Sequence, residues 1–286
     1  MTRINIVRFS YIVLISVCFT IPVIGTMAGA EPSNLSETTQ QVREICGQLR
    51  SRGPDFQPLA DTCEYALQLP RTLPNLVSVE TVRRTLSPKR KPDIIKAELT
   101  VQRLQSHYAN VTVNGKNARA GVSSDDQFSE QVTSTGEVAH LFDVFSQASH
   151  TDFASPVDAV IERRHLRRYD FRVKREDNVS WKWFFVGNGI YPGYHGSVYV
   201  DRGSGAVVRL VVEVTSSEVD PGTPVSQSTT TLDYGDVVIG EAGPQHVPLR
   251  GENVSCFREL LGCIRNELTF GDYHLFRAES RILPAE

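Results

Sequence analysis

The sequence predicts an α+β fold, in which an antiparallel β-sheet domain follows a helical hairpin. Two observations predict it. Apolar residues recur with a helical period over residues 34–69, and from residue 75 onwards they alternate with a period of two between short turns rich in glycine and proline. Because no helix regularly separates the alternating stretches, we expect the strands to pair antiparallel. We therefore predict a helical extension over residues 31–74 and one sheet domain over residues 75–286.

The N-terminal segment 1–30 is typical of a cleavable secretory signal. A short stretch with two arginines precedes an almost wholly apolar run, Phe9–Val23, and the small residues Ala28-Gly29-Ala30 follow. An uncleaved membrane anchor is the alternative because the apolar run is long, but a proline and a glycine near its end favour cleavage. Cleavage near Ala30 would place the mature chain in the periplasm, in the cell envelope or outside the cell.

Two short helices are predicted in the extension. Asn34 with Glu37 forms a capping-box pattern, and a break at Arg52-Gly53-Pro54 separates the helices. Pro70 and Pro74 are expected to end the second helix. Each helix carries one apolar stripe, made of Val42, Ile45, Cys46 and Leu49 in the first and of Leu59, Cys63, Ala66 and Leu67 in the second.

The cysteines beyond the signal fall into two local pairs. Four cysteines allow three pairings, and proximity along the chain favours Cys46–Cys63 and Cys256–Cys263. Export makes disulfides the expected state, so the first bond would clip the two helices together and the second would close the end of a hairpin. A zinc site is the alternative, but zinc ligands usually have closer spacings than these residues have.

Strands are predicted wherever apolar and polar residues alternate between turn signals. Asn114-Gly115 is a strong turn signal, and residues 116–133 are polar and are predicted to form a loop. A further hairpin is expected around Arg202-Gly203-Ser204-Gly205. The predicted strands are Leu76–Leu86, Asp93–Leu104, Tyr108–Val113, Val157–Lys174, Val179–Val186, Ser197–Asp201, Ala206–Val214, Ser226–Ile239, Gln245–Phe257 and Cys263–Ala278.

One inserted helix, at about 135–148, interrupts the strands. Ser134 with Glu137 forms a second capping-box pattern at its start. Its apolar stripe either packs on the sheet or plugs and gates a cavity there. The stripe consists of Val138, Leu141, Phe142 and Phe145.

Aromatic residues cluster around residue 181. Trp181, Trp183 and Phe185 fall on one face of a predicted strand, because alternate residues of a strand point the same way. They form either plain sheet core or the wall of an apolar pocket such as a lipid-binding cavity. Together with the inserted helix, this region supplies the candidate ligand-binding residues, which are Trp181, Trp183, Phe185, Tyr199, Phe142 and Phe145.

Motifs for catalysis are missing from the sequence. It has no nucleophile elbow, zinc-protease motif, P-loop or dinucleotide-binding loop, and its seven histidines are scattered. We therefore expect that the protein is not an enzyme and that it has no catalytic residue, metal site or cofactor. The net charge of −3 disfavours nucleic acid as a partner, because phosphate contacts dominate that affinity. The basic segment 163–168 is either a solvated strand face or a patch for anionic lipid headgroups or another acidic partner.

Most of the chain beyond the signal resembles one group of bacterial proteins. The matching residues are Leu73-Pro74-Asn75, Ser134-Thr135-Gly136-Glu137, Tyr194–Asp201 with Arg209, Arg265-Asn266-Glu267, Phe270, Tyr273 and Phe276–Ser280. With these residues the chain resembles a family of uncharacterised exported proteins that is commonest in acidobacteria.

A second resemblance rests on one hairpin, Gly196–Arg209, with the sequence G-S-V-Y-V-D-R-G-S-G-A-V-V-R. It is similar to a hairpin of periplasmic lipoprotein-carrier domains of the LolA, LolB and RseB-like type. The resemblance implies a strongly curved antiparallel sheet, an unclosed half-barrel whose concave side holds an apolar cavity covered by helices. The N-terminal helices and their cysteines depart from that pattern, and no ligand contact is carried over.

The function that we expect is that of a non-catalytic binding protein of the periplasm or cell envelope. Its ligand would be lipophilic, such as a lipid or the acyl chain of a lipoprotein, and peripheral contact with envelope membranes would accompany it. Two alternatives stay open: an envelope interaction or structural module with a packed core, and a hydrolase without a recognisable motif. The sequence decides neither the ligand nor the oligomeric state.

Overall fold

The computed structural model describes residues 34–86, 90–117, 123–129, 134–146, 150–178, 181, 183–185, 188–258 and 262–276. The predicted signal, residues 1–30, lies outside them. Helices form at the N-terminus and in two insertions. They are α1 (Asn34–Ser51), α2 (Gln57–Thr72), α3 (Ser124–Ser129) and α4 (His140–Phe145), with 3-10 turns at Pro54–Phe56 before α2 and at Glu137–Ala139 before α4.

Strands make up most of the remaining described chain. They are β1 (Leu76–Thr85), β2 (Asp93–Gln102), β3 (Gln105–Val113), β4 (Lys116–Asn117), β5 (Asp152–Phe153), β6 (Val157–Ile161), β7 (Arg164–Val173), β8 (Trp183–Phe185), β9 (Asn188–Ile190), β10 (Tyr194–Asp201), β11 (Val207–Val214), β12 (Val225–Val238), β13 (Pro244–Phe257) and β14 (Cys263–Leu275).

Twelve of these strands form one antiparallel sheet, which confirms the predicted pairing. Its order is β4-β3-β2-β1-β14-β13-β12-β11-β10-β7-β5, and β6 pairs with β7 beside β5. The path is open, with β4 at one end and β5 and β6 at the other. β8 and β9 pair separately as a two-stranded ribbon.

One face of the large sheet packs against the helices, and we call it the helix-covered face. It carries Val82, Leu210, Leu232 and Leu268, all of which are buried. Two apolar clusters lie on it. The first joins α1, α2 and α4 to β7 and β10–β12, and the second joins the end of α2, α3 and the turn before α4 to β1–β3, β13 and β14. Tyr65 of α2 packs against both clusters, so this helix links them.

Both predicted disulfides are confirmed. Cys46 of α1 is bonded to Cys63 of α2, with 5.7 Å between the Cα atoms, and both residues are fully buried. Cys256 at the end of β13 is bonded to Cys263 at the start of β14. These bonds fit an extracytoplasmic location.

The prediction of a continuous loop over residues 116–133 is wrong. The short strand β4 and the six-residue helix α3 lie within this stretch. Phe128 anchors α3 because it is fully buried, with its ring stacked on Tyr108 at a centroid distance of 4.0 Å. The hydroxyl of Ser123 accepts a hydrogen bond from the Asp126 N–H at 3.1 Å and so caps the first turn. A helix with one apolar anchor has no stripe, and periodicity therefore missed it.

Three predicted boundaries are also wrong. Pro70 does not end α2, which continues to Thr72, because a proline in a last turn forfeits only one helical hydrogen bond. The predicted strand Val157–Lys174 is a hairpin, β6 and β7, which turns at two residues with positive φ. The capping box at the inserted helix does not form, because Gly136 with φ 77° is the N-cap and the Glu137 side chain is buried.

Candidate functional site

An aromatic layer lies where α4 meets the helix-covered face. Trp181 is 7% exposed, and its ring centroid lies 4.0 Å from that of His140 and 5.5 Å from that of Tyr194. On the other side of α4, the ring of Phe145 stacks on Phe153 at 5.3 Å. The layer therefore joins side chains from α4, β5 and β10 to the segment before β8.

The Asn178 amide fixes the position of Trp181. Its Nδ2 donates hydrogen bonds to the carbonyl oxygens of Trp181 and Pro192, each at 2.7 Å, and its Oδ1 accepts one from the Trp181 N–H at 2.9 Å. Asn178 is itself buried. A side chain that bonds three backbone groups ties the tryptophan backbone to the segment between β9 and β10.

The structure brings together only some of the predicted ligand-binding residues. Trp181, Phe142 and Phe145 all pack in the first cluster. Trp183 and Phe185 lie in β8, and their side chains lie outside those the structure describes. Tyr199 lies on the opposite face of the sheet, because it alternates along β10 with the fully buried Val198 and Val200. The structure therefore separates Tyr199 from the aromatic layer.

The basic segment 163–168 is surrounded by carboxylates. Arg167 binds both Asp55 and Asp158 at 2.8 Å, and Arg164 lies 3.6 Å from Asp201. Arg168 pairs with Asp170 at 3.1 Å. This arrangement favours the solvated strand face over a patch for anionic headgroups, since most of its guanidinium groups already have acidic partners.

Two surface depressions occur away from the aromatic layer. One has a volume of about 510 Å³ and is bordered by Arg175, Tyr191 and Asp220, where Arg175 and Asp220 form a bidentate ion pair. The other has a volume of about 290 Å³ and lies between Arg83 and Arg265 on the sheet face opposite the helices. Neither contains any of the predicted ligand-binding residues.

Two buried carboxyl groups, Glu80 of β1 and Glu137 before α4, were missed by the sequence analysis. Glu80 is 0% exposed and Glu137 is 1% exposed, and none of their four carboxyl oxygens makes a hydrogen bond of normal geometry. Burial raises the pKa of Glu80 well above its ordinary value, and the nearby charge of Glu137 raises it further. The Tyr108 hydroxyl, which faces Glu80, opposes that rise in pKa.

Neither a metal centre nor a membrane-spanning helix is found in the described part of the chain. There, no three histidine, cysteine, aspartate or glutamate side chains come together as a metal site would require. Within the same residues, no helix has both the length and the apolar character needed to span a bilayer.

Comparison with known proteins gives a match among solved structures. No protein-family model matches the chain, and no curated protein matches it. The crystal structure of a LolA superfamily protein from Nitrosomonas europaea is similar to this chain at 12% identity and a TM-score of 0.37, with 84% of this chain and 94% of that chain covered.

Proposed function

We propose that this protein is a non-catalytic binding protein for a lipophilic ligand, such as a lipid or the acyl chain of a lipoprotein. It would act in the periplasm or cell envelope after cleavage of its signal near Ala30. The observation that carries this proposal is the aromatic layer between α4 and the sheet. Its rings lie beneath a short helix rather than deep within the sheet.

The aromatic layer is covered by α4 and by the 3-10 turn Glu137–Ala139 before it, which together we call the cover. The cover is small and is held largely by apolar contacts. α4 has six residues, and Leu141, Val144 and Phe145 are its inward side chains. Apolar contacts are not directional, so an alkyl chain can replace them at little cost in specific hydrogen bonds. A ligand lying between α4 and the sheet would replace the contacts between these side chains and the sheet with contacts to its alkyl chain.

The proposed ligand contacts are Trp181, Phe142 and Phe145, and the proposal extends to Trp183 and Phe185 of β8. Phe142 is half-buried and packs on the first cluster, so it lies at the boundary between the layer and solvent. An entering acyl chain would therefore meet Phe142 first. Each buried methylene of that chain would contribute about 0.8 kcal/mol before entropic losses.

Intrinsic fluorescence tests the proposal directly, because the chain has two tryptophans and both belong to the proposed site. The full-length exported protein is titrated with palmitate and with a diacylated lipopeptide below their critical micelle concentrations. We expect a saturable change in tryptophan emission, with Phe142→Ala weakening binding about tenfold, equivalent to about 1.4 kcal/mol.

Tyr199→Ala is the matched control, since it removes an aromatic ring from the same strand as Tyr194 but from the opposite face. It should leave the affinity unchanged. A chain that shows no spectral change with either ligand, and from which no lipid co-purifies, would contradict the proposal.

A second candidate function is an envelope interaction module. The observation that favours it is the close packing of Trp181, which is 7% exposed among His140, Tyr194 and the first cluster. Native mass spectrometry of the protein purified from its own envelope separates the two. Bound lipid supports the lipophilic ligand, and a stable stoichiometric protein partner without lipid supports the module.

A further inference from the structure

The second apolar cluster surrounds a buried carboxyl group, that of Glu80 in β1. On the helix-covered face of β1, Leu76, Ser78, Glu80 and Val82 follow one another, and all four are fully buried. Glu80 pairs in register with Phe270 on one side and with Ala97 on the other. A carboxyl group therefore lies in the middle of an apolar surface.

Glu137 supplies a second carboxyl group from the cover. It begins the 3-10 turn that precedes α4, and this turn packs over β13. The Gly136 N–H donates a hydrogen bond to the Tyr108 hydroxyl at 3.3 Å, which holds the turn over β3 beside Glu80. Sheet and cover thus each present one carboxyl group to the same buried region.

Among the described residues the Tyr108 hydroxyl is the donor that faces Glu80, and no group meets either carboxyl in normal hydrogen-bond geometry. All four oxygens are buried, and the Ser78 hydroxyl on the same face is also buried and makes no normal hydrogen bond. Arg84, the arginine two positions beyond Val82 on this face, is paired with Asp93 at 3.0 Å. Buried polar groups in proteins are normally hydrogen-bonded, so three such side chains in one place point to a group from outside the chain.

Several elements around Glu80 contribute acidic or phenolic groups, whereas β2 places the apolar Ala97 beside it. β3 contributes Tyr108, β14 contributes Tyr273 and the turn before α4 contributes Glu137. Tyr234 of β12 lies near Glu137 and Asp143. Burial raises the pKa of Tyr108 and of Tyr234 well above the ordinary value, so these phenols stay neutral. The surroundings can therefore accept a positive charge.

Aromatic rings complete the site. Phe270 lies opposite Glu80 on the neighbouring strand, and the ring of Tyr108 stacks on that of Phe128 at 4.0 Å. Carboxyl groups with aromatic rings on an apolar wall are the surroundings that an ammonium group prefers, because ring faces and carboxylates both attract a cation.

We propose that Glu80 and Glu137 bind the ammonium group of an amphiphilic ligand whose alkyl chain lies along the helix-covered face. This inference rests on the proposed function and deepens it, since it names the ligand as a lipophilic amine rather than a fatty acid. The ammonium would lie between the sheet and the cover, with Ser78 accepting one of its hydrogen bonds.

The test compares three probes with the same twelve-carbon chain: dodecylammonium, dodecanol and dodecanoate. Each is titrated into the full-length exported protein below its critical micelle concentration, with intrinsic fluorescence and calorimetry as readouts. We expect dodecylammonium to bind at least tenfold more tightly than either other probe. This comparison uses the unmodified chain and depends on no variant.

Two single variants, Glu80→Gln and Glu137→Gln, extend the test. Each should weaken dodecylammonium binding at least tenfold and leave dodecanol binding unchanged, whereas Glu98→Gln on the exposed face of β2 should change neither. Circular dichroism of each variant establishes that it is folded before binding is measured.

The outcomes separate this inference from the proposed function. Equal affinity for all three probes would overturn the ammonium site and leave lipophilic binding standing. Variants that bind all three probes more tightly would also overturn it, because the two carboxyl groups would then hold the cover rather than the ligand. Binding of none of the probes would remove the proposed function as well.

Discussion

The hydroxyl of Thr62 in α2 donates a hydrogen bond to the carbonyl oxygen of Gly205 at 2.7 Å, across 143 residues of sequence. This bond joins the N-terminal helices to the turn between β10 and β11. Thr62 is fully buried, so no water competes for the bond. Gly205 is the last glycine of this turn and the residue that α2 contacts.

Gly205→Ala should destabilise the protein at this contact. Gly205 has φ +68°, and a Cβ there would lie 2.7 Å from the Cβ of Asp61. Strained backbone and the collision together should cost about 1–3 kcal/mol, measured as the free energy of unfolding in urea. Gly203→Ala, whose Cβ would meet nothing closer than 3.6 Å, is the matched control and should cost under about 0.5 kcal/mol. Equal losses would show that the turn does not need a glycine at 205.

The two disulfides should differ in their contribution to stability. Cys46–Cys63 closes a segment with a sequence separation of 17, and Cys256–Cys263 closes one of only 7. In the chain-entropy model the first contributes about 3 kcal/mol and the second somewhat less. Paired Cys→Ser variants of each bridge, compared by urea denaturation, measure both. A larger loss at the shorter loop would contradict the entropic account.

Glu80→Gln should stabilise the protein at alkaline pH. Burial and Glu137 raise the pKa of Glu80 in the folded state, whereas in the unfolded chain its pKa returns to the ordinary value of a glutamate. Folding therefore takes up a proton, and the free energy of unfolding falls as the pH rises above that value. We expect the melting temperature of the variant to exceed that of the unmodified chain at pH 8 and to match it near pH 4.

Glu98→Gln on the exposed face of β2 is the matched control and should change the free energy of unfolding by less than about 0.5 kcal/mol. A constant difference between Glu80→Gln and the unmodified chain from pH 4 to pH 8 would mean that Glu80 ionises normally in the folded protein.

Asp233→Asn should weaken the outer face of the sheet at neutral pH. Arg209 contacts its carboxylate with bonds of 2.5 and 2.9 Å, and Arg250 adds one of 2.8 Å. Burial acts to raise the pKa of Asp233, but the two guanidinium groups outweigh burial and hold the pKa below its ordinary value. Loss of these bonds should cost about 1–3 kcal/mol at pH 7.

The stabilisation by Asp233 is present above its unfolded pKa and is lost as the pH falls through its lower folded pKa. The variant and the unmodified chain should therefore converge in strongly acidic solution, measured by thermal melts. Asp158→Asn is the control, because its side chain is 70% exposed and its ion pairs with Arg167 and Arg202 should contribute little.

The sheet could be predicted from the sequence because its signals are local. Alternation and the Asn114-Gly115 turn located β1–β3, and proximity paired the four cysteines correctly. α3 could not be predicted, since Phe128 is a lone apolar anchor whose stacking partner, Tyr108, lies on a strand. Contacts of that kind are set by tertiary packing and leave no period in the sequence.

The buried carboxyl groups were missed for a different reason. Along β1 the residues Val77 and Val79 suggest the apolar face, yet Ser78 and Glu80 point to the helices. Both faces of the first half of β1 are largely covered, so alternation does not tell which residues are inside. At Glu137 the capping-box pattern predicts a side chain that bonds the Ser134 backbone N–H, whereas in the fold this side chain is buried.

The position of α2 has a consequence for how the molecule melts. Tyr65 packs against both apolar clusters, and its hydroxyl donates a hydrogen bond to the His246 carbonyl oxygen on β13. The helix α2 therefore packs against both halves of the sheet, and we expect that neither half unfolds without disrupting the contacts of the other. Calorimetry should record a single heat-absorption peak, and a break in the chain within α2 should split it into two.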